Sequence, residues 1–326
     1  MKHVSFVFIA ILILLGGGLL GYTLLHASSP VAASSGGCID IPSSPDYLAS
    51  GNPLDAITAI NNARALEHVR PLRLDSNFHR RNPAEQQFIL LNLERTDRGL
   101  LPLHLDRNLS LVATAYSKQM RNLGFFSHTS PIAGTFQVRV DSNPAVVNHY
   151  ALVAENLSGN PAPGAGSIYE YMYDDASEAC GHRYNILDPQ LRTVGIGWVT
   201  GSQYGSISAQ EFLTSSVWSP YEDSNVDQSP PSISIVDART IVASRQSGPS
   251  LTDPFYAHLR ARAQVEDHVG GIHITWFLDR FGNQPQTGPL TDVDREHLAP
   301  GVHVLYVYVV NGVQIYSMAR YTFVVG

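Results

Sequence analysis

The hydrophobic pattern of this chain changes period once, near Pro230-Pro231, and that change constrains its fold more than any other feature. Upstream, Leu109, Val112, Ala113, Tyr116, Met120 and Leu123 fall at helical spacing, and Gly124 ends the stripe. Asn82, Pro83 and Glu85 spell a capping box with proline at the first helical position, and Gly99 stops that helix. Ser167 with Glu170 marks a further helix start. Strand patterns follow at residues 193–199 and 211–218. Helices with a few antiparallel strands in one unit predict an α+β domain over residues 83–220, and residues 221–231 read as a linker. Downstream, apolar runs at residues 233–236, 255–265, 272–278, 302–310 and 321–325, with Asn311-Gly312 as a hairpin signal, predict strands alone. About 100 residues of this kind suit an immunoglobulin-like β-sandwich over residues 232–326.

The start of the chain bears on compartment. After Met1-Lys2-His3, no charged side chain occurs between residues 4 and 25. At about 1.5 Å of rise per residue, some 20 apolar residues cross a hydrocarbon core of about 30 Å. Residues 1–27 are therefore read as a signal-anchor in the cell membrane or, if cleavage follows Ala33, as the signal peptide of a secreted protein. Either reading places the bulk of the chain outside the cytoplasm. Residues 28–53, rich in Ser, Gly, Pro and Ala, read as a flexible stalk. The two cysteines, Cys38 and Cys180, are too few for a disulfide scaffold. An exported chain permits a Cys38–Cys180 disulfide, and two unpaired thiols are the alternative. The net charge of -7, with Lys and Arg scattered, speaks against a nucleic-acid partner.

An internal repeat precedes the central domain. Ile60-Asn61-Asn62-Ala63-Arg64 aligns with Leu91-Asn92-Leu93-Glu94-Arg95, and Pro71-Leu72-Arg73-Leu74-Asp75 with Pro102-Leu103-His104-Leu105-Asp106, without a gap. Residues 54–82 are either a half-domain duplicated as a docking element or a helical lead-in that packs on the domain. The lead-in is favoured, because no histidine or glutamate segment follows the first copy.

Three segments concentrate reactive side chains: Phe126-Ser127-His128-Thr129, Ala154-Glu155-Asn156-Leu157 and Cys180-Gly181-His182-Arg183. Singly each is ordinary, since a histidine near a helix end usually serves as a hydrogen-bonded structural residue. In order, and together with Leu91-Asn92-Leu93-Glu94-Arg95, the stretch from Gly99 to Pro102-Leu103, the helical stripe and Val194-Gly195-Ile196-Gly197, they resemble the bacterial branch of the CAP superfamily. That is the family of cysteine-rich secretory, antigen 5 and pathogenesis-related 1 proteins. The resemblance covers nearly all of the central domain. It implies an α-β-α sandwich with an open cleft where two histidines and two acidic residues meet. It carries over onto His128, Glu155 and His182 one by one. The family's fourth residue is a glutamate three positions after an aromatic; here Asp174 follows Tyr171-Met172-Tyr173, with Glu170, Asp175 and Glu178 as rivals.

Two imidazoles and a carboxylate suit Zn2+ or another divalent metal, with His128 and His182 as the ligands. No Gly-x-Ser-x-Gly elbow, His-Glu-x-x-His helix or phosphate-binding glycine loop accompanies them. Cys180, two residues from His182, forms only a weak Cys-x-His signal. The expectation is a binding module rather than an enzyme, and the resemblance implies a lipid, sterol-like or cell-envelope ligand. The alternatives are a zinc-dependent hydrolase of peptide or cell-wall bonds, with Glu155 as general base, and a structural adhesin with an inactive cleft.

Overall fold

The computed structural model describes residues 47, 51–144, 146, 150–214, 228–242, 257–282, 286–288 and 292–325. The anchor assigned to residues 1–27 and most of the 28–53 stalk lie outside them. Among the described residues no helix is long and apolar enough to cross a membrane.

The helices start and stop where their caps dictate. Helix α1 (Pro53–Leu66) begins at Asn52, whose side chain accepts from Leu54 N at 3.1 Å. Helix α2 (Pro83–Thr96) begins at the expected capping box, with Asn82 and Glu85 joined by two bonds of 3.0 Å. Helix α3 (Arg107–Leu123) is capped by Asp106 and ends at Gly124, whose φ of 70° suits a residue without Cβ. Short helices α4 (Phe136–Ser142), α5 (Ala165–Tyr173) and α6 (Gly181–Leu187) follow. Helix α5 starts before the expected Ser167, because Ser167 and Glu170 both bond Ser158 rather than forming a cap.

Strand β1 (His104–Leu105), the hairpin of β2 (Thr129–Ser130) and β3 (Gly134–Thr135), β4 (Val153–Ser158), β5 (Thr193–Ser202) and β6 (Gly205–Leu213) complete the central unit. Its main sheet has the order β1-β5-β6-β4, so β4 is an edge strand. Strand β6 begins earlier than the residue 211 expected from apolar pattern, since Ser206, Ser208 and Gln210 are buried polar residues. Gln87 links two of them: its Nε2 donates to Ser208 Oγ at 3.0 Å and its Oε1 accepts from Gln210 Nε2 at 2.9 Å.

Three layers result, α-β-α. Helix α3 covers one face, where a Cβ added to Gly195 or Gly197 would strike the α3 backbone. On the other face Val194, Ile196 and Phe212 join Leu90, Leu91, Ile168 and Met172 in one core. Each such buried side chain contributes about 1.5–3 kcal/mol. Ala56, Ala59, Ile60 and Ala63 of α1 belong to that core, so α1 is part of the unit. The repeat is structural as well. Asn61 Oδ1 accepts from Leu72 N at 2.8 Å and Asn92 Oδ1 from Leu103 N at 2.7 Å, while Arg64 Nε donates to Arg70 O and Arg95 Nε to Leu101 O, both at 2.8 Å.

The C-terminal region is built of strands β7 (Ser232–Val242), β8 (Ala257–Glu266), β9 (His273–Leu278), β10 (Gln286–Gly288), β11 (Asp292–Leu298), β12 (Gly301–Val310) and β13 (Tyr316–Val325). They form two sheets, ordered β10-β9-β12-β13 and β11-β8-β7. Leu259, Ala261 and Ala263 from one sheet pack with Ile274, Trp276, Leu305, Val307 and Val309 from the other. Asn311-Gly312 does open the hairpin between β12 and β13. The connection is the longer loop 311–315, with Asn311 N bonded to Ile315 O at 3.0 Å.

Candidate ligand cleft

The edge strand β4 ends at a cleft of about 490 Å3, walled by residues from both helical layers. From the α3 side come Phe126, Ser127 and His128; from the α5–α6 side come Glu170, Asp174, Asp175 and His182. The two histidines therefore share one opening although they lie in different layers.

His128 rests on a buried polar assembly. Its Nδ1 donates to Glu155 Oε1 at 2.7 Å. The second Glu155 oxygen accepts from Arg139, which also donates to the His128 carbonyl at 2.8 Å. Arg139 is 1% exposed, and its guanidinium lies 3.5 Å from the centre of the Tyr116 ring. Tyr116 in turn donates to Ser127 O at 2.5 Å. Glu211 faces Glu155 across the β4–β6 pairing, and neither of its oxygens has a hydrogen-bond partner among the described residues. Burial first, and then the negative charge of Glu155, push the Glu211 carboxyl up to about 8. The neutral acid is therefore the form that this interior accommodates.

His182 stands on a different support. Its Nδ1 donates to Asp175 Oδ1 at 2.6 Å, and Asp175 Oδ2 accepts from Arg183 N at 2.9 Å. The ring lies 5.2 Å from that of Tyr171, and the His182 carbonyl accepts from Asn156 Nδ2 at 3.2 Å. Arg183 reaches the Met172 carbonyl at 2.7 Å and also pairs with Glu67, just beyond α1. Cys180 is disulfide-bonded and adopts φ 61° immediately before α6. Cys38, the other cysteine of the chain, lies outside the described residues.

Asp175, a rival of Asp174 for the fourth position, is thus the carboxylate on His182. Helix α5 ends at Tyr173, and the reversal after it turns Asp175 inward to meet two donors. Asp174 lines the cleft, its carboxyl raised by burial and by the charge of Asp175. Glu170, another rival, is raised to about 7 by burial while Ser158 and Asn160 bond it. Arg139 and Glu211 were not anticipated. Arg139 had one usable signal: between Arg121 and Asp141 it is the single Lys, Arg, Asp or Glu, and a lone charge in such a stretch implies a buried partner.

The arrangement bears on metal binding through its donor chemistry. Among the described residues no three His, Cys, Asp or Glu side chains converge to hold an ion. Glu155 has both oxygens engaged, so it backs His128 rather than completing a ligand set. Each imidazole presents Nδ1 to a carboxylate, so any ligand in the cleft must be met by Nε2. A carboxylate behind the distal nitrogen is the usual outer support of a metal-ligating histidine, and both imidazoles have one.

Comparison with known proteins agrees with the fold. Residues 88–215 match the family model described as CAP, the cysteine-rich secretory protein family. The Bacillus subtilis (strain 168) protein YkwD is 32% identical over 124 residues, covering 38% of this chain and 44% of YkwD. Among solved structures, an extracellular protein containing an SCP domain from Bacillus anthracis is 27% identical, covers 40% of each chain and has a TM-score of 0.35. The CAP domain of Enterococcal PrgA is 11% identical over 57% of this chain and 93% of that chain, with a TM-score of 0.31. The similarity to the CAP family thus lies in residues 88–215, within the central domain. The chain spans less than half the length of the curated relative it matches.

Proposed function

We propose that the central domain is a ligand-binding module working outside the cytoplasm. Its cleft holds one divalent cation through Nε2 of His128 and His182, beside a lipid or envelope-derived ligand. The observation that carries this reading is the pairing of each imidazole, through Nδ1, with a buried carboxylate that has a second donor of its own. Binding is favoured over hydrolysis because Glu155, the candidate general base, is buried behind His128 and paired with Arg139, and it does not line the cleft. Phe126, Leu157 and Tyr171 add apolar wall for a ligand that is not wholly polar. The charge-free run at residues 4–25 supports an exported, membrane-tethered or secreted chain. We read the C-terminal unit as an immunoglobulin-like module, from its two sheets and its buried Trp276.

Thermal melting tests the metal reading. An ion that binds only the folded state stabilises it by about 2.7 kcal/mol at a hundredfold excess over the dissociation constant. Zinc is expected to raise the melting temperature at about pH 7.5 and to do much less at about pH 5, because ligating histidines must be deprotonated. His128→Ala and His182→Ala should each remove most of that response. An unchanged zinc response in the double variant would sink the assignment.

A further inference from the structure

We propose that the C-terminal unit is a working part of the cleft, positioning His128 by gripping the loop that carries it. The inference takes the cleft as the functional site, but its geometry and its test need no metal. Along β9 and β12 alternate side chains face opposite ways. Ile274, Trp276, Leu305, Val307 and Val309 fill the unit's own core. The other face presents Thr275, Phe277, Tyr308 and Val310, and it does not meet solvent: Phe277 is 0% exposed and Val310 1%. It is covered by Ile132 and Ala133, the tip of the β2–β3 hairpin, with Leu123 at the margin.

The contact is specific as well as apolar. Thr275 Oγ1 donates to the Ile132 carbonyl at 3.1 Å, and Gln119 Nε2 on α3 donates to the Gln314 carbonyl at 2.6 Å. Gln119 and Gln314 are 0% and 1% exposed, so this bond lies in a dry interface where losing it leaves polar groups unsatisfied. Gly312 closes the approach, since a Cβ there would stand 2.5 Å from the Ser142 carbonyl and 2.8 Å from Pro144.

From the hairpin tip the path to the site is short. Ser130 Oγ donates to Gln119 Oε1 at 3.2 Å and accepts from Ile132 N and Ala133 N at 3.2 and 3.1 Å, which ties the tip to α3. Thr129, next to His128, pairs with Thr135 across the hairpin. Arg139 then bonds the carbonyls of His128 and Gly134 while holding Glu155. Moving the tip therefore moves the main chain of His128 relative to Glu155. The ties described for His182 run instead to Asp175 and Asn156, and Asp175 in turn accepts from Arg183 N, all within the central unit. Thr275 and Gln119 are thus positioning residues for one histidine and not for the other.

Proton NMR of the full, metal-free chain separates the two. The Nδ1–H protons of His128 and His182 are assigned by their absence in His128→Gln and His182→Gln, and their exchange with water is measured at one fixed pH. Two substitutions act on the interface: Gly312→Val wedges it open, and Thr275→Val removes one hydroxyl while keeping its volume. In both, the His128 proton should exchange about ten-fold faster, because the local opening that exposes it has become easier, while the His182 proton keeps its rate. Thr275→Ser, which retains the hydroxyl, should restore slow exchange at His128. Unchanged exchange at His128 in Thr275→Val and in a folded Gly312→Val would overturn the proposal. So would equal acceleration at both histidines, which marks general loosening.

Discussion

The two halves of the cleft hold the same pair, an imidazole on a carboxylate, by opposite means. The His128 half is assembled from far apart: a loop after α3, an arginine on α4, a strand-edge glutamate and a hairpin tip docked on the C-terminal unit. The His182 half is local, with Asp175, Arg183 and Cys180 within a few residues, braced by Glu67 beside α1. A charge drawn from distant segments depends on each of them, whereas a local turn keeps its shape when one brace is lost. The His128 half thus leans on the unit after the central domain, whereas the His182 half is held within that domain.

Breaking this contrast should hurt the His128 half most. Arg139→Met leaves Glu155 buried without its cation, beside the equally buried Glu211. An uncompensated buried charge costs about 3–5 kcal/mol, so urea unfolding should show a loss of that order together with disappearance of the His128 Nδ1–H signal. A variant as stable as the parent would mean that Arg139 does not sustain this half. Next, Cys180→Ala removes the disulfide, which typically contributes about 2–4 kcal/mol. Here the His182 proton should change and the His128 proton should not, and the reverse pattern would break the comparison.

A smaller, pH-dependent effect is expected from Glu170. Its folded pKa of about 7 lies above its ordinary value of 4.5. Its contribution to stability is therefore fully present below about pH 4.5 and is lost as pH rises through about 7. Glu170→Gln cannot ionise, so relative to the parent it should gain stability between those limits; a parallel pair of stability-versus-pH curves would contradict this. Smallest is Glu67→Gln. Its partners Arg98 and Arg183 keep Glu94 and the Met172 carbonyl as acceptors, so losing one charged acceptor should cost about 1 kcal/mol. Calorimetry should find a shift of that size, with the His182 exchange rate altered before that of His128.

Much of this was legible in the sequence where the cause is local. The Asn82–Glu85 capping box and the α3 stripe ended by Gly124 follow from neighbouring residues, whereas His128, Glu155 and His182 stand out through the family resemblance. The choice of Asp175 over Asp174 was not, because one residue of phase at the end of α5 decides which carboxylate turns inward, and main-chain donors from Arg183 set that phase. Strand β6 was placed late because its buried Ser206, Ser208 and Gln210 look like surface until Gln87 is known to reach them. Phe277 and Tyr308 read only as strand residues in the sequence, and the cover that Ile132 lays over them shows in the fold alone.

The central claim is that His128 and His182, held so differently, act on one ligand. It is tested most directly by titrating zinc into the full chain at about pH 7.5 while following the NMR signals of both imidazoles. The account predicts that both move together along a single saturation curve, and that either His→Ala substitution flattens the response of the remaining histidine. Movement of one histidine alone, or two curves with different midpoints, would contradict it.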